Sequence, residues 1–553
     1  MEENSLITVC EKTNFQRTAT YNETIRYYQQ LSKIYPFLQL SLPAVSSSGR
    51  RIPFVKISDG KPEHKFTLLI QNCIHAGEPE GNDATMMLAR EILTSPDCES
   101  ILSGLRILIF PILNVEGHKN NNKFNRVNQI GPLYQGWRTN DRNQNLNRDY
   151  LKADSDEIKF FLRVVNKYKP DLLVDNHTTN GLDYQYHISY SIEKEPVLSP
   201  ELSGYAHEKF LPFLQERLTN AGYLHTHYIE LMGTELEEGL KRIAGMPRFS
   251  TGYMALRNRI GLLVETHSLK PFKNRVTSTL EINRGVVEFI LAHREELMSV
   301  NKLSETNDLQ SFGIDKKQFA VAWDASENFV PEKFAAFKYI SRVSNITGAE
   351  VKKYTDIPEE VEVPVFTEAK TVTEIKMPAF YAVPKAFNEI HEVLKLHGFE
   401  LLEIKKIIKT GERMVITSYA FASQPYEGRF RIIDFTFETD DQVLIKNDDV
   451  FLYSTAQVNP RILGFLLDPR SPESFFQWGF FNMFFERKEY AEDFVFEPIV
   501  RKELKKNAGL RKLFKEMLQD ESFRNNPAAR LDFFYRRSKY YDRREGIYPV
   551  FFL

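Results

Sequence analysis

The chain has 553 residues, and its 74 acidic and 72 basic side chains leave a formal net charge of -2. Such a balance creates no global field that would attract nucleic acid or anionic lipid, so we expect neither as a partner. No apolar run reaches the roughly 18 residues that a membrane span needs, and we expect no span. The 3 cysteines are too few for a disulfide framework. The length predicts more than one domain.

The first four residues give information about the cellular compartment of the protein. Met1-Glu2-Glu3-Asn4 is acidic and lacks the basic start and apolar stretch of a secretory signal. The sequence as written therefore predicts a cytoplasmic protein. A periplasmic or secreted protein is the alternative if the true N-terminus is missing.

Helix and strand signals alternate along residues 1–300. Thr20-Tyr21-Asn22-Glu23 has the form of a capping box and predicts a helix that runs to about Tyr35. Apolar runs predict the strands, and amphipathic spacing predicts the other helices. The expected strands are Leu38–Leu42, Ile52–Ile57, Phe66–Ile74, Leu105–Leu113, Asp171–Asn176 and Leu262–Glu265, and the expected helices are Glu80–Leu93, Glu157–Tyr168 and a long one that ends near Asn301. Continuous apolar strands joined by helices are typical of an α/β sheet that is buried on both faces.

The alternating pattern stops near Ser304-Glu305-Thr306-Asn307-Asp308. We place a domain boundary there, with a catalytic domain over residues 1–305 and a C-terminal domain over residues 306–553. In the second part, runs such as Met414–Ala422 predict strands, and an aromatic-rich segment around Ser474–Phe481 is expected to be helical. These signals predict a C-terminal α+β domain of unknown role.

Three polar sites follow or end buried strands in the first domain. His75 and Glu78 follow the apolar run Phe66–Ile70, His177 follows a second run, and Glu265 ends a third. In α/β sheets, ligands bind at the carboxyl ends of the strands. Two histidines and one carboxylate leave a position open for water, as in a catalytic zinc site. The remaining glutamate, Glu265, would then be the base that activates that water.

The pair His75 and Glu78 is weak evidence without its context. The spacing His-x-x-Glu occurs again at three places, which are His227/Glu230, His293/Glu296 and His397/Glu400. In our interpretation His293/Glu296 lies on a long helix, where such a pair is usually part of a solvated face. His397/Glu400 lies at an apparent helix end, where Gly398 suits a C-cap. The doublet His225 and His227 has no third ligand at a following strand end, so we do not expect it to bind metal.

A second dense signal is the polar segment Trp137–Asp149, which holds three arginines and four asparagines. Arginine pairs a carboxylate in bidentate fashion, and asparagine adds further donors. A plain polar loop is the alternative interpretation. A nucleic-acid patch is not expected in a chain of nearly neutral charge.

Taken in order, His75-x-x-Glu78, Leu146-Asn147-Arg148, His177 and Glu265 resemble the signature of the zinc carboxypeptidases, over about residues 15–300. The resemblance implies a mixed, mostly parallel sheet covered by helices on both faces. It also implies one Zn2+ ion held by His75, Glu78 and His177, with Glu265 as general base and acid.

The resemblance implies further roles in the substrate site. Arg138 is similar to the arginine that stabilises the oxyanion, although Arg142 is an alternative because the spacing to Asn147 is short. Asn147 and Arg148 are similar to the pair that binds the carboxylate at a substrate's C-terminus. Tyr253, twelve residues before Glu265, is our candidate for the tyrosine that caps the substrate.

The second half resembles the extra domain of a bacterial two-domain branch of the same family. The similar segments include Tyr426-Glu427-Gly428 and Trp478-Gly479-Phe480-Phe481. No chemistry is attached to these segments, so the resemblance implies no role for this domain.

These observations predict a zinc metallocarboxypeptidase that hydrolyses the C-terminal amide bond of peptides. Its expected partner is a peptide with a free C-terminal carboxylate. A zinc-dependent deacylase of N-acyl amino acids is one alternative, since its substrate carries a carboxylate as well. A non-catalytic peptide-binding protein is the other alternative, although retention of all three ligands together with Glu265 argues against it.

Overall fold

A computed structural model describes residues 6–61, 65–402, 408–445 and 449–553 of the chain. The opening segment Met1-Glu2-Glu3-Asn4, on which the prediction of the compartment rests, lies outside the described residues. Among the described residues, no helix is both long enough and apolar enough to cross a membrane.

The first half alternates strands and helices as predicted. Its strands are β1 (Leu38–Val45), β2 (Arg51–Ile57), β3 (Phe66–Asn72), β4 (Leu105–Phe110), β5 (Leu172–Thr179), β6 (Ile188–Ile192), β7 (His225–His227), β8 (Leu240–Lys241) and β9 (Ile260–His267). Its helices are α1 (Val9–Lys12), α2 (Tyr21–Ile34), α3 (Glu80–Thr94), α4 (Cys98–Gly104), α5 (Val115–Lys119), α6 (Asp156–Tyr168), α7 (Pro200–Tyr205), α8 (Leu211–Asn220), α9 (Ser250–Leu256) and α10 (Phe272–Asp308).

Eight of these strands form one mixed sheet in the order β1-β2-β4-β3-β5-β9-β6-β7. The central pairs β4-β3, β3-β5 and β5-β9 are parallel, whereas β1-β2, β2-β4 and β9-β6 are antiparallel. Every residue of β3 and β5 is buried, so both faces of the sheet are covered at its centre. The predicted α/β sheet is confirmed, and its parallel centre brings the ends of β3, β5 and β9 to one edge.

Local sequence signals explain where several helices begin and end. Thr20 and Glu23 form the expected capping box at the start of α2. Ser155 caps α6 through its side chain, and Lys169 ends that helix in the left-handed region. The helix α10 is longer than expected, because the polar residues after Asn301 continue the helix to Asp308 instead of interrupting it.

The second half is rich in strands. Its strands are β10 (Phe319–Ala325), β11 (Val330–Val343), β12 (Glu350–Phe366), β13 (Ala369–Ile375), β14 (Phe380–Pro384), β15 (Ile408–Phe421), β16 (Ile432–Ile445), β17 (Val450–Ser454) and β18 (Ile547–Phe552). Its helices are α11 (Asn388–Leu396), α12 (Arg461–Leu467), α13 (Asp493–Lys506), α14 (Ala508–Met517), α15 (Glu521–Arg524) and α16 (Pro527–Tyr535). Five of the strands form a sheet in the order β16-β15-β18-β14-β17.

The aromatic segment of the second half differs from the prediction. Residues 474–481 form turns, and a short 3-10 helix follows at Asn482–Phe485. Gly479 adopts a φ of 80° there, in the left-handed region, which interrupts a right-handed helix. Trp478 and its aromatic neighbours are buried, so the segment is packed core.

The two halves are joined by backbone pairing. The strand β12 pairs in parallel with β8 of the first half, and Ala336 of β11 bridges to Tyr184. The predicted boundary at residue 305 lies within α10, and the division into two domains stays a prediction.

Candidate metal centre and substrate cleft

The ends of three parallel strands bring the predicted chemical groups together. His75 and Glu78 lie in the loop between β3 and α3, His177 lies within β5, and Glu265 lies within β9. In the register of the sheet, His177 pairs directly with Glu265. Side chains of such partners point to the same face of a sheet, so Glu265 lies beside a candidate metal ligand.

His75, Glu78 and His177 form a group that can hold one metal ion. Their ligand atoms all lie within 4.8 Å of one another, and among the described residues they are the one such group of His, Cys, Asp or Glu side chains. His75 Nδ1 lies 3.3 Å from Glu78 Oε1, and His177 Nδ1 lies 2.9 Å from Glu78 Oε2. Two imidazole nitrogens and a carboxylate are a donor set that suits zinc, and the predicted one-ion site is confirmed.

A side-chain oxygen lies close to the Nε2 atom of both imidazole rings. His75 Nε2 lies 3.1 Å from Asn145 Oδ1, and His177 Nε2 lies 3.0 Å from Asp175 Oδ2. A ring that donates from Nε2 keeps its Nδ1 lone pair free for a metal. Asn145 and Asp175 therefore support the choice of Nδ1 as the ligand atom on both histidines.

The charges of the group suit metal binding. Burial alone would raise the pKa of Glu78, but His75, Arg126 and His177 outweigh it and hold that pKa well below its usual range. Burial lowers the pKa of His75 to about 4, so its ring is neutral near pH 7. An ionised carboxylate and a neutral imidazole are the forms that bind a metal.

His177 differs, because neighbouring carboxylates surround it. Burial would lower its pKa, but Asp175 and Glu78 outweigh this and raise the pKa of His177 well above its usual value. Since a ligand must be deprotonated, metal binding would release a proton from this ring.

Two arginines approach Glu78. Arg126 Nη2 donates to Glu78 Oε1 at 2.8 Å, and Arg138 Nη1 lies 3.8 Å from the same oxygen. Arg138 also lines the cleft above the metal ligands. Arg142 is exposed and does not line this cleft. The position of Arg138 therefore suits the predicted oxyanion role better than that of Arg142.

Glu265 has the environment of a proton acceptor with an elevated pKa. Its side chain is 8% exposed, and within the described part of the chain its Oε2 has no hydrogen-bond partner. Burial raises the pKa of Glu265 to about 8, with further repulsion from Glu78 and Asp175 and opposing attraction from His177. Its free oxygen is available to a reacting group.

One of the candidate metal ligands, His75, lines a cleft of ≈ 460 Å³. His75, Arg138, Asn147, Arg148 and Glu265 all line this cleft. The structure thus brings five residues predicted from the sequence to one cavity. Asn147 Oδ1 is buried and has no partner among the described residues, as expected of a polar group that awaits a ligand.

Tyr253 does not fulfil its predicted role as a substrate cap. Its side chain is 0% exposed, and its hydroxyl bonds to His397 Nδ1 at 3.1 Å. Arg257 Nη1 donates to the same hydroxyl at 3.4 Å. The residue belongs to α9, which packs beneath β5 and β9, so the ring is part of the core and has no access to a substrate.

Two residues close to the candidate site, Tyr228 and Asp175, were not singled out from the sequence. Tyr228 lines the cleft, and its pKa is raised by burial and by the nearby charge of Glu265. No strand signal preceded it, because β7 is only three residues long. Asp175 could have been predicted from the sequence. It lies two residues before His177 in the same strand, so both side chains point to one face of the sheet.

Comparisons with known proteins agree with this site. Residues 24–177 match the model of a family described as zinc carboxypeptidase. No curated protein matches the chain.

The chain is also similar to solved structures. One is a metallo-carboxypeptidase from Pseudomonas aeruginosa in complex with (2-guanidinoethylmercapto)succinic acid, with 16% identity, coverage of 50% of this chain and 70% of that chain, and a TM-score of 0.39. A metallo-carboxypeptidase from Burkholderia cenocepacia has 13% identity, coverage of 50% and 70%, and a TM-score of 0.39. Carboxypeptidase A from Helicoverpa armigera has 15% identity, coverage of 53% and 75%, and a TM-score of 0.38.

The family match spans the segment that holds His75, Glu78 and His177. Assignment to the two-domain bacterial branch stays a prediction. Over residues 24–177, the resemblance of this chain to the zinc carboxypeptidases is confirmed.

Proposed function

We propose that this chain is a zinc metallocarboxypeptidase that releases the C-terminal residue of peptides. The observation that carries the proposal is the convergence of two Nδ1 atoms and the Glu78 carboxylate beside Glu265, in a cleft that Arg148 also lines. A metal group alone would suit many hydrolases. The arginine in the same cleft supports a substrate that carries a carboxylate.

The proposed chemistry assigns the ion to His75, Glu78 and His177. Bound zinc supplies a Lewis acid for the scissile carbonyl and lowers the pKa of a water molecule. Glu265 accepts the proton of the attacking water and returns it to the leaving amine, a role worth about 10²–10⁴-fold in rate. Its raised pKa suits both steps, because the group must take up a proton and release it again near neutral pH.

Arg138 is the proposed donor to the oxyanion. Its side chain is 39% exposed and lies at the cleft wall near Glu78, where the guanidinium can point at the developing negative charge. Loss of one such donor typically costs about 10²–10³-fold in rate. Asn147 and Arg148 are proposed to hold the terminal carboxylate, which would restrict cleavage to the last peptide bond.

The test combines metal content with product analysis. The purified protein is incubated with a mixed peptide library, and zinc is measured on the same sample. The proposal expects about one zinc per chain and release of single C-terminal amino acids. Release of acyl groups from N-acyl amino acids, with peptides left intact, would favour the deacylase alternative. Binding of peptides without any product would favour the non-catalytic alternative.

Each library peptide is tested both with a free C-terminus and with an amidated one. The proposal expects efficient cleavage of the free acids alone, because the amide cannot accept a bidentate ion pair from Arg148. Equal cleavage of both forms would contradict a site for the terminal carboxylate.

A further inference from the structure

The second half of the chain reaches into the proposed substrate site through one turn. Tyr426 and Glu427 lie between β15 and β16, and both contact the loop that carries Asn147 and Arg148. We propose that Tyr426 is the positioning residue of Arg148, so that the C-terminal half completes the site for the substrate carboxylate. This inference rests on the function proposed above.

Three contacts fix the guanidinium of Arg148. Its Nε donates to the Tyr426 hydroxyl at 3.1 Å, and its Nη1 donates to the carbonyl oxygen of Asn147 at 2.6 Å. Its central carbon lies 4.5 Å from the centre of the Phe249 ring. The Phe249 ring supports the cation from one side, and the two hydrogen bonds restrict rotation of the guanidinium.

These contacts leave one edge of Arg148 for a ligand. Within the described part of the chain, Nη2 has no protein partner, and Nη1 has used one of its two hydrogens. The edge formed by Nη1 and Nη2 can therefore pair with both oxygens of a carboxylate. Without the Tyr426 hydroxyl, Nε of Arg148 would be unpaired. The ligand carboxylate could then bind to Nε instead of to the edge formed by Nη1 and Nη2.

Tyr426 is itself held firmly. Its ring stacks on buried Trp478 with 5.8 Å between the ring centres and 22° between the planes. Arg248 lies over both rings and pairs with buried Glu473 at 2.6 Å. Since all these groups contact one another, the hydroxyl of Tyr426 is presented to Arg148 from a rigid support.

The neighbouring residue acts on the same loop. Glu427 Oε2 accepts a hydrogen bond from the backbone N–H of Asn145 at 3.2 Å. Asn145 in turn accepts from His75 Nε2, so the turn touches both the carboxylate site and the support of a metal ligand. Arg429 adds a paired contact to Asp154 at 2.7 Å. The turn thus contacts this loop at three points.

The test compares Tyr426→Phe with Tyr419→Phe in the full-length zinc enzyme. Tyr419 is a matched control, because it is similarly exposed, lies in β15 and, among the described residues, donates its hydroxyl only to the carbonyl oxygen of Phe485. Loss of a hydrogen bond to a charged group predicts that Tyr426→Phe raises KM for free-acid peptides about tenfold. We expect kcat, zinc content and the unfolding temperature to stay close to wild type, and Tyr419→Phe to change nothing.

A parallel loss of kcat and zinc would instead mean a general structural role and would overturn the proposal. An unchanged KM would overturn it as well. Slow cleavage of amidated peptides provides an internal reference, because their KM should not respond to Tyr426→Phe.

A binding experiment separates this inference from the proposed reaction. Calorimetry measures the affinity of Glu265→Gln, with and without Tyr426→Phe, for one tripeptide as free acid and as amide. The inference expects Tyr426→Phe to weaken the free acid about tenfold and to leave the amide unaffected. Equal affinity of the single variant for acid and amide would overturn the carboxylate site and this inference together. If the variant with Tyr426→Phe still binds the free acid more tightly than the amide, by the same factor as Glu265→Gln alone, this inference alone would be overturned.

Discussion

His177 and Glu265 occupy paired positions on the neighbouring parallel strands β5 and β9. One side chain is a candidate metal ligand and the other is the proposed base. Because hydrogen bonds between the strands fix this pairing, their separation is set by the sheet and does not depend on a loop.

This pairing makes Glu265→Gln a clean test of the base. Glutamine has nearly the same shape but cannot accept the proton, so we expect kcat to fall by about 10²–10⁴-fold. Zinc content should be unchanged, because Glu265 does not belong to the ligand group. Glu295→Gln, at an exposed position on α10, is the control. A variant that keeps its rate would identify a different base.

Substitution of the two candidate oxyanion arginines should affect kcat differently. Arg138→Ala should lower kcat by about 10²–10³-fold, since this side chain lines the cleft beside Glu78. Arg142→Ala should keep the wild-type rate, because the residue is exposed outside the cleft. Steady-state kinetics on one free-acid peptide distinguish them. A large loss in Arg142→Ala alone would reverse the assignment.

Metal affinity should depend on Asn145. Its Oδ1 lies 3.1 Å from His75 Nε2, and it orients the ring. Partners of this kind typically contribute 10–100-fold to metal affinity, so we expect Asn145→Ala to weaken zinc binding by about that factor. Competition with a chromophoric chelator measures the affinity without any turnover. Asn345→Ala, at an exposed site in the second half, should bind zinc as wild type does. Unaltered affinity in Asn145→Ala would remove the proposed orienting role.

Protonation of His397 should weaken the fold in mild acid. Burial lowers the pKa of His397 to about 4, while the unfolded chain has a value near 6.5. Between these values the unfolded state binds the additional proton, so stability falls as pH falls from about 6.5 to about 4. The full effect is about 3 kcal/mol.

The measurement is the unfolding temperature at about pH 7.5 and about pH 5. His397→Gln cannot take up this proton, so its unfolding temperature should fall less between the two conditions than that of wild type. His293→Gln, at a partly exposed position on α10, should behave as wild type. An equal fall in wild type and His397→Gln would show that His397 does not contribute.

The central strands and the candidate metal ligands could be predicted because their signals are local. An apolar run such as that of β3 marks a buried strand, and the polar residues just after it mark the edge of the sheet where ligands bind. His75, Glu78, His177 and Glu265 all follow this rule.

Tyr253 shows where closeness in sequence misleads. It precedes Glu265 by twelve residues, but α9 packs against the sheet and turns the ring into the core. Tyr228 lacks a local pattern, because its place in the cleft depends on how β6 and β7 add to the sheet edge. The contact between Arg148 and Tyr426 spans 278 positions, and no local pattern predicts such a pairing.

His397 lies between two parts of the first half. Its Nε2 donates to the Leu151 carbonyl at 2.8 Å, and its Nδ1 accepts from Tyr253. A fragment shortened to residues 1–305 would keep the three candidate metal ligands but would lose His397 and its contact with Leu151, which lies three residues after Arg148. Such a fragment would keep the candidate metal-binding side chains but would also lose Tyr426 beside Arg148, so zinc content alone would not report peptide binding in shortened versions of the chain.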